Sequence, residues 1–274
     1  MRFEPKIATV QSMGSTFFVA EQDFIARVIA TTGLWEPHLY AFARILVNEN
    51  SNIVDLGANF GYHTIGLSRL AKNGTVFAFE PQGFIFAQLQ LNIIANSVDN
   101  VKAYKLAAAS SSLNIVELDP LESTMGEDGA VNLGNTGIGS GGDLCLTVKL
   151  DQMNLPKIDF LKVDIQGAES AAIVGMSGII ARDRPVFFIE IEEKHLRRFS
   201  TSSKDLIESF LVRDYSLIRI KTDWPTDHLA IPNERGDLIA RCLKQQEYQT
   251  ELISGRAVTL QFENRYFYDT FTVD

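Results

Sequence analysis

The sequence predicts an α/β fold in which a mostly parallel sheet is covered by helices on both faces, and two observations lead there. Short runs rich in β-branched and aromatic residues recur at 53–56, 75–79, 101–106, 160–163 and 186–189, each long enough for one strand. Segments with helical spacing of apolar residues lie between most of them, at 62–71, 84–95 and 170–181. Strands that alternate with helices pair in parallel through crossovers, and near-continuous apolar strands fit burial on both faces.

Composition narrows the class. A chain of 274 residues with 46% hydrophobic and 22% charged side chains can bury a sizeable core, which excludes disorder of the whole chain. One globular unit, or one with a small appendage, is expected. The 25 basic and 34 acidic side chains leave a net charge of −9. A chain this acidic repels a phosphate backbone and shows no basic patch, so no nucleic-acid partner is expected. Cys145 and Cys242 lie far apart with no CxxC and read as reduced thiols of a cytoplasmic protein. Arg2, Glu4 and Lys6 interrupt the apolar residues of the N-terminus, and no stretch approaches the roughly 18 apolar residues of a membrane span. The expectation is a soluble, cytoplasmic protein with no membrane partner.

Residues 1–50 read as an N-terminal helical segment. Phe24, Val28 and Ile29, then Leu39, Phe42, Ala43, Leu46 and Val47, recur at helical spacing and predict two helices. Gly33-Leu34-Trp35-Glu36-Pro37 divides them, with Gly33 suited to a helix C′ position and Pro37 to the first turn of the next. Residues 51–232 form the core. Within it, 120–143 is a glycine-rich insertion with glycines at 126, 129, 134, 137, 139, 141 and 142, lying between apolar runs at 113–118 and 144–149. A loop of that length is usually functional or disordered, and a substrate-covering lid and plain disorder both stand as readings. A helix follows Lys204, then a strand at 215–220. The C-terminal extension, 233–274, carries one helix and two aromatic-rich strands; it has no assigned role and offers a surface for a homo-oligomer.

The most informative stretch is Asn52-Ile53-Val54-Asp55-Leu56-Gly57-Ala58-Asn59-Phe60-Gly61-Tyr62-His63. A buried strand ends in an acid, a glycine-containing turn follows, and a helix opens at about Gly61. Gly57 and Gly61 let backbone approach a ligand closely, outside the carboxyl ends of the strands. The turn lacks the dinucleotide pattern GxGxxG, because Asn59 and Tyr62 stand at the second and third glycine positions, and no P-loop lysine is present. A pyrophosphate needs a glycine-lined helix N-terminus. S-adenosylmethionine has no phosphate; its site needs room for the amino acid moiety, an acid for the amino group and an acid for the ribose. Asp55 can supply the first, directly or through water. Glu80 can supply the second: it closes the next strand before Pro81 and falls 25 residues after Asp55, near the spacing of a ribose-binding acid. Either acid alone is as readily a solvated strand-end carboxylate.

At this point the residues resemble the FkbM family of S-adenosylmethionine-dependent methyltransferases. The resemblance runs through roughly 35–192. It rests on Asp55 to Tyr62, on Ala78-Phe79-Glu80-Pro81, and on Ile158-Asp159-Phe160-Leu161-Lys162-Val163-Asp164-Ile165-Gln166-Gly167-Ala168-Glu169. The family usually has glutamate where this chain has Gln166. The resemblance implies a Rossmann-like class I methyltransferase fold, with a seven-stranded, mostly parallel sheet containing one antiparallel strand. It also implies O-methylation, commonly of a sugar or natural-product hydroxyl. The expected cofactor site comprises Asp55, Gly57, Ala58, Asn59, Gly61, His63, Glu80, Pro81 and Asp164, with Ala107 and Ala108 as small residues against which an adenine ring can lie flat.

Methyl transfer from a sulfonium is an in-line displacement, so alignment of the acceptor oxygen and exclusion of water carry most of the rate. A base near the hydroxyl adds roughly 10²- to 10⁴-fold. Asp164, at the end of the fourth core strand, is the first catalytic candidate; the alternative is a structural acid capping the helix that begins around Ala168. Glu169 reads as a first-turn acid favoured by the helix dipole. Alternation places Glu190 and Glu192 on one face and Glu193 on the other. Histidine is the residue type best suited to a general base near neutral pH, and His195 is the second catalytic candidate, against a plain surface role. His63 either lines the cofactor pocket or packs within its helix. Asp164, Glu190 and Glu192 offer hard oxygen ligands, but their spacing is not diagnostic and no metal is assigned. The acceptor is expected to be a small molecule or carbohydrate, for which Trp224, Tyr248, Tyr266 and Tyr268 are available aromatics if they do not serve packing. Two other functions remain open: an NAD(P)-dependent oxidoreductase that keeps Glu80 as its ribose acid, and a catalytically degenerate binding module, of which Gln166 is the visible hint.

Overall fold

The chain opens with a β-hairpin where a helical segment was expected. In the computed structural model, which describes residues 5–125, 131–222 and 226–253, strand β1 (Ile7–Ser12) pairs antiparallel with β2 (Ser15–Ala20). Met13 and Gly14 form the two-residue turn with φ of 49° and 69°, positive at both positions as a tight hairpin requires. Phe17 and Val19 point inward while Thr16 and Phe18 are partly exposed, so burial alternates with a period of two. The two expected helices follow. α1 (Phe24–Thr32) is capped by the Asp23 carboxylate and ends on Gly33 in the left-handed region, and α2 (Pro37–Leu46) begins on Pro37.

Alternation then proceeds as predicted through β3 (Ile53–Leu56), α3 (Tyr62–Leu70), β4 (Val76–Phe79), α4 (Gly83–Ala95) and β5 (Val101–Tyr104). The glycine-rich insertion is framed by a separate three-stranded sheet. In it β8 (Leu144–Val148) pairs in parallel with β6 (Ala107–Ala108) and antiparallel with β7 (Ile115–Glu117). The chain re-enters the main sheet at β9 (Phe160–Val163). The helix expected next is two, α5 (Glu169–Gly175) and α6 (Ser177–Asp183), meeting at Met176. After β10 (Val186–Glu190), α7 (Glu193–Arg197) and α8 (Ser203–Leu211) come β11 (Tyr215–Lys221), β12 (Asp227–Pro232), α9 (Gly236–Lys244) and β13 (Gln249–Ile253).

The main sheet has eight strands, in the order β13-β11-β12-β10-β9-β3-β4-β5, where seven were expected. Strands β5, β4, β3, β9 and β10 are parallel, and β12 and β13 run against the rest. The extra strand comes from the C-terminal extension. Through residue 253 that extension adds β13 to the sheet edge and packs α9 on α2, so this part belongs to the core. The remainder of its predicted aromatic-rich strands, with Tyr266 and Tyr268, lies outside the described residues, as does Trp224.

Each central strand is apolar on both faces because helices cover both. Ile53 packs with Leu39, Phe42 and Ile65 on the side of α2, α3 and α9, whereas its neighbour Val54 packs with Ile173, Ile180 and Leu206 on the side of α5, α6 and α8. The chain lays β3, β4 and β5 outward in one direction, then returns to place β9 on the other side of β3. That reversal opens a crevice at the carboxyl ends of β3 and β9, where ligands of such sheets bind.

Candidate functional site

A cavity of ≈ 1240 Å³ lies at this reversal. Small-molecule sites commonly occupy about 300–1,000 Å³, so this cavity is larger than most. Gly57, Ala58 and Asn59 form one wall, Glu80 and Pro81 the next, and Ala107 and Ala108 line the side toward the small sheet. Asp164, Gln166, Glu190, Glu192 and His195 line the opposite side.

The glycine turn is shaped by close approach. Gly57 has φ +79°, and a Cβ there would stand 1.8 Å from the backbone oxygen of Asp164. Asn59 also has positive φ, 50°, which asparagine tolerates better than most residues. Gly61 has a different task from the ligand approach expected of it. It caps α3 at φ +93°, does not line the cavity, and has Leu89 Cδ1 2.7 Å from where its Cβ would be. Its missing side chain lets α3 and α4 pack.

Asp55 is likewise placed behind the wall. It is fully buried and absent from the cavity lining; Oδ2 accepts a 2.6 Å bond from the Thr64 hydroxyl, and Oδ1 lies 3.7 Å from Lys162 Nζ. Direct contact with a ligand amino group is not what this geometry provides. Asp55 instead anchors Lys162, a residue that the sequence reading passed over as part of a strand. The signal was present: a lysine inside an otherwise apolar strand covered on both faces must find partners. Nζ of Lys162 donates to the Gly57 carbonyl at 2.9 Å and to Asp164 Oδ2 at 3.3 Å. Burial acts to lower the pKa of this ammonium, but the Asp164 and Asp55 carboxylates outweigh it and hold the group firmly charged. One cation thus ties the turn after β3 to the strand end of β9.

Glu80 follows β4 and is 6% exposed. Its Oε2 accepts from the Asn59 amide at 3.0 Å and its Oε1 from the Gln82 amide at 2.9 Å. Burial pushes its pKa up to about 7 despite those two bonds. The carboxylate is therefore oriented by backbone from two sides while lining the cavity.

Asp164 lines the cavity and is half-buried, held by Lys162 and by Gln166 Nε2, which donates to Oδ1 at 2.8 Å. No side chain caps α5, so the capping role considered for Asp164 is not what it does; Glu169, the first residue of α5, instead holds the preceding loop, its Oε1 accepting from the Ile165 and Gly167 amides at 3.1 Å each. Burial raises the Glu169 pKa to about 7. Gln166 Nε2 also reaches Glu190 Oε2 at 3.3 Å, and Gln166 Oε1 has no hydrogen-bond partner. Glu190, Glu192 and His195 present ligand-type atoms within 4.8 Å of one another. Burial and the surrounding carboxylates, led by Asp164, push the Glu190 pKa far above the usual carboxylate range. Glu193 is the first residue of α7, where strand alternation does not apply, and it bonds Arg197 and the Ser203 amide.

The N-terminal segment contributes Glu36 and His38 to the cavity lining. Glu36, with φ 43°, places Oε2 2.9 Å from His63 Nε2, and His63 Nδ1 lies 3.2 Å from the Tyr40 hydroxyl. Burial opposes ionisation of Glu36, but His63 and nearby Lys162 bring its pKa below the usual range. His63 thus both lines the cavity and packs against α2. His38 Nε2 lies 2.7 Å from Asp227 Oδ2, with its ring stacked on Phe188 at 5.7 Å and Tyr248 edge-on at 5.8 Å. Burial lifts the Asp227 pKa to about 6. No sequence signal marked this pair, which joins residues 189 positions apart.

The described part of the glycine-rich insertion forms a wall. Residues 133–138 line the cavity. The segment is moored to the start of the chain by Phe24 N to Val131 O at 2.8 Å and Leu133 N to Asp23 Oδ1 at 3.3 Å, and Arg198 donates to Ile138 O within it at 3.4 Å and to Asp119, just before it, at 2.7 Å.

Residues 55–217 match the Methyltransferase FkbM domain. "Methyltransferase 1" of Beauveria bassiana (strain ARSEF 2860) is 28% identical over 147 residues, 47% of this chain and 59% of that protein, so the chain spans less than two thirds of that relative's length. Among solved structures, methyltransferase FkbM of Methylobacillus flagellatus KT aligns with a TM-score of 0.47 at 20% identity, covering 67% of this chain and 44% of that one. TYW2 of M. jannaschii, solved in complex with AdoMet, aligns with a TM-score of 0.42 at 15% identity, covering 84% and 86%. The matched domain begins at the acid before the glycine turn and ends within β11, taking in Glu80, Lys162 and the Glu190 to His195 segment while leaving out His38 and Asp227. With that match spanning more than half of its length on a Rossmann-like class I methyltransferase fold, the chain belongs to the FkbM methyltransferase family.

Proposed function

We propose that this chain is an S-adenosylmethionine-dependent methyltransferase that acts on a hydroxyl of a carbohydrate or small natural product. The observation that carries the reading is Glu80, a buried carboxylate held by the amides of Asn59 and Gln82 on the wall of a cavity at the sheet reversal. Family membership supports methyl transfer as the chemistry. The donor set fits the cofactor: Glu80 for the ribose hydroxyls, the side-chain-free Gly57 at the turn, and Ala107 with Ala108 beside a flat ring. When bound, S-adenosylmethionine supplies a methyl group activated on a sulfonium.

The chain's own residues then have three tasks. Lys162 and Asp55 hold the turn in place. Asp164, held by Lys162 and Gln166, orients the acceptor hydroxyl. The proton has a receiver in His38: Asp227 engages Nε2, and no described residue occupies the other ring nitrogen. Carboxylates on this side, with Trp35 and Tyr248 also lining the cavity, suit a hydroxyl-rich acceptor.

Calorimetry with S-adenosylhomocysteine and with NAD tests the reading; saturable binding of NAD alone would overturn it. Glu80→Ala is expected to weaken S-adenosylhomocysteine by about 1–3 kcal/mol, roughly 5- to 150-fold. An unchanged affinity in the folded variant would show that the ribose lies elsewhere. The raised pKa also sets a pH dependence. Below about 7 Glu80 is protonated and a poorer acceptor for two hydroxyls, and above it the carboxylate is restored. Affinity is expected to rise several-fold from about pH 6 to about pH 8, and Glu80→Gln to flatten that profile.

A further inference from the structure

We propose that Glu190, Glu192 and His195 bind a first-row divalent cation of the Mn²⁺ class at the acceptor end of the cavity. Their ligand-type atoms lie within 4.8 Å of one another, with His195 Nδ1 3.4 Å from Glu192 Oε2. A cation bonded to each at about 2.0–2.2 Å holds its ligands roughly 3–4 Å apart, so small side-chain rotations close the set. His195 Nδ1 is buried without a hydrogen-bond partner.

A second observation comes from Gln166. This side chain is 6% exposed and reaches into the cluster, where Nε2 donates to Glu190 and Asp164 while Oε1 has no partner. Buried amide oxygens are seldom left so, and a neutral carboxamide here either bridges two carboxylates or adds an oxygen to a cation. Asp164 is paired with Lys162 and Asp227 with His38, whereas no cationic side chain among the described residues lies within ion-pair distance of Glu190.

The backbone is built to bring the three together. Gly167 has φ +105°, and a Cβ there would lie 2.3 Å from the His195 carbonyl oxygen, so only glycine lets α7 sit this close to the end of β9. An imidazole nitrogen with carboxylates suits a first-row transition ion, whereas Mg²⁺ and Ca²⁺ favour all-oxygen sets. Three protein ligands on a cavity wall leave coordination positions for acceptor oxygens. That purpose rests on the methyltransferase reading; occupancy by the cation does not.

The test is titration of the metal-stripped full chain with MnCl₂, with free Mn²⁺ followed by electron paramagnetic resonance. One Mn²⁺ per chain is expected, with binding weakened at least tenfold in both Glu192→Gln and His195→Ala. S-adenosylhomocysteine affinity measured on the same variants reports their folding and is expected to stay within about twofold of the parent. Absence of saturable Mn²⁺ binding, or binding unaltered in either variant, overturns the proposal. Mn²⁺ binding lost in the variants, with no S-adenosylhomocysteine binding by any protein, would sustain the cation site and overturn the cofactor reading instead.

Discussion

Lys162→Ala is expected to cost about 3–5 kcal/mol of folding stability, the range for removing one partner of a buried ion pair. The ammonium is 3% exposed and serves Gly57, Asp164 and Asp55 at once. Without it, Asp55 keeps only the Thr64 hydroxyl, and the Gly57 carbonyl loses its donor. A shift in the urea midpoint measures the loss. A cost under about 1 kcal/mol would mean that water or rearrangement replaces the ammonium, and that the turn is held by other contacts. S-adenosylhomocysteine binding should fall with stability, because the carbonyl that Lys162 secures belongs to the turn forming the cavity wall.

Gly57→Ala should be similarly severe for a different reason. Its φ of +79° carries strain of about 1–3 kcal/mol for a residue with a Cβ, and the 1.8 Å approach to the Asp164 oxygen adds about 1–3 kcal/mol of overpacking. A lowering of the melting temperature by roughly 5–15 °C is expected. Gly14→Ala separates the two contributions. Gly14 has φ +69° but nothing within 4 Å of its Cβ position, so only the backbone cost of about 1 kcal/mol applies. Equal losses at the two positions would show that β3 and β9 yield easily, and that the contact with Asp164 does not require glycine.

These two positions also show how far the sequence could be read. Gly57 was visible as a turn residue because a glycine after a buried strand and an acid has few other uses, but its contact with the backbone of Asp164 joins residues 107 positions apart and leaves no local trace. Lys162 was legible in principle as a charge in a buried strand. Its partners were not, since they depend on β9 pairing beside β3 with Lys162 opposite Asp55. The absence of a side chain at Gly61 is legible in the turn, but the neighbour that requires it is Leu89 of α4, which spacing along the chain does not reveal. The N-terminal hairpin was missed because Phe17 to Ala20 is apolar enough to extend a helical pattern; the Met13-Gly14 turn was the stronger signal.

By itself, then, the sequence determined the alternation of strands and helices, the position of the glycine turn, and Glu80 as an acid at a strand end, because period, turn chemistry and strand length are local properties. Tertiary structure decided that Asp55 stands behind the cavity wall, that β13 completes the sheet, and that Glu36, His38 and Asp227 meet residues far from them in the chain. Those outcomes depend on which strand ends the fold brings side by side at the reversal of the sheet, and burial there makes each charge seek a partner that spacing along the chain does not reveal.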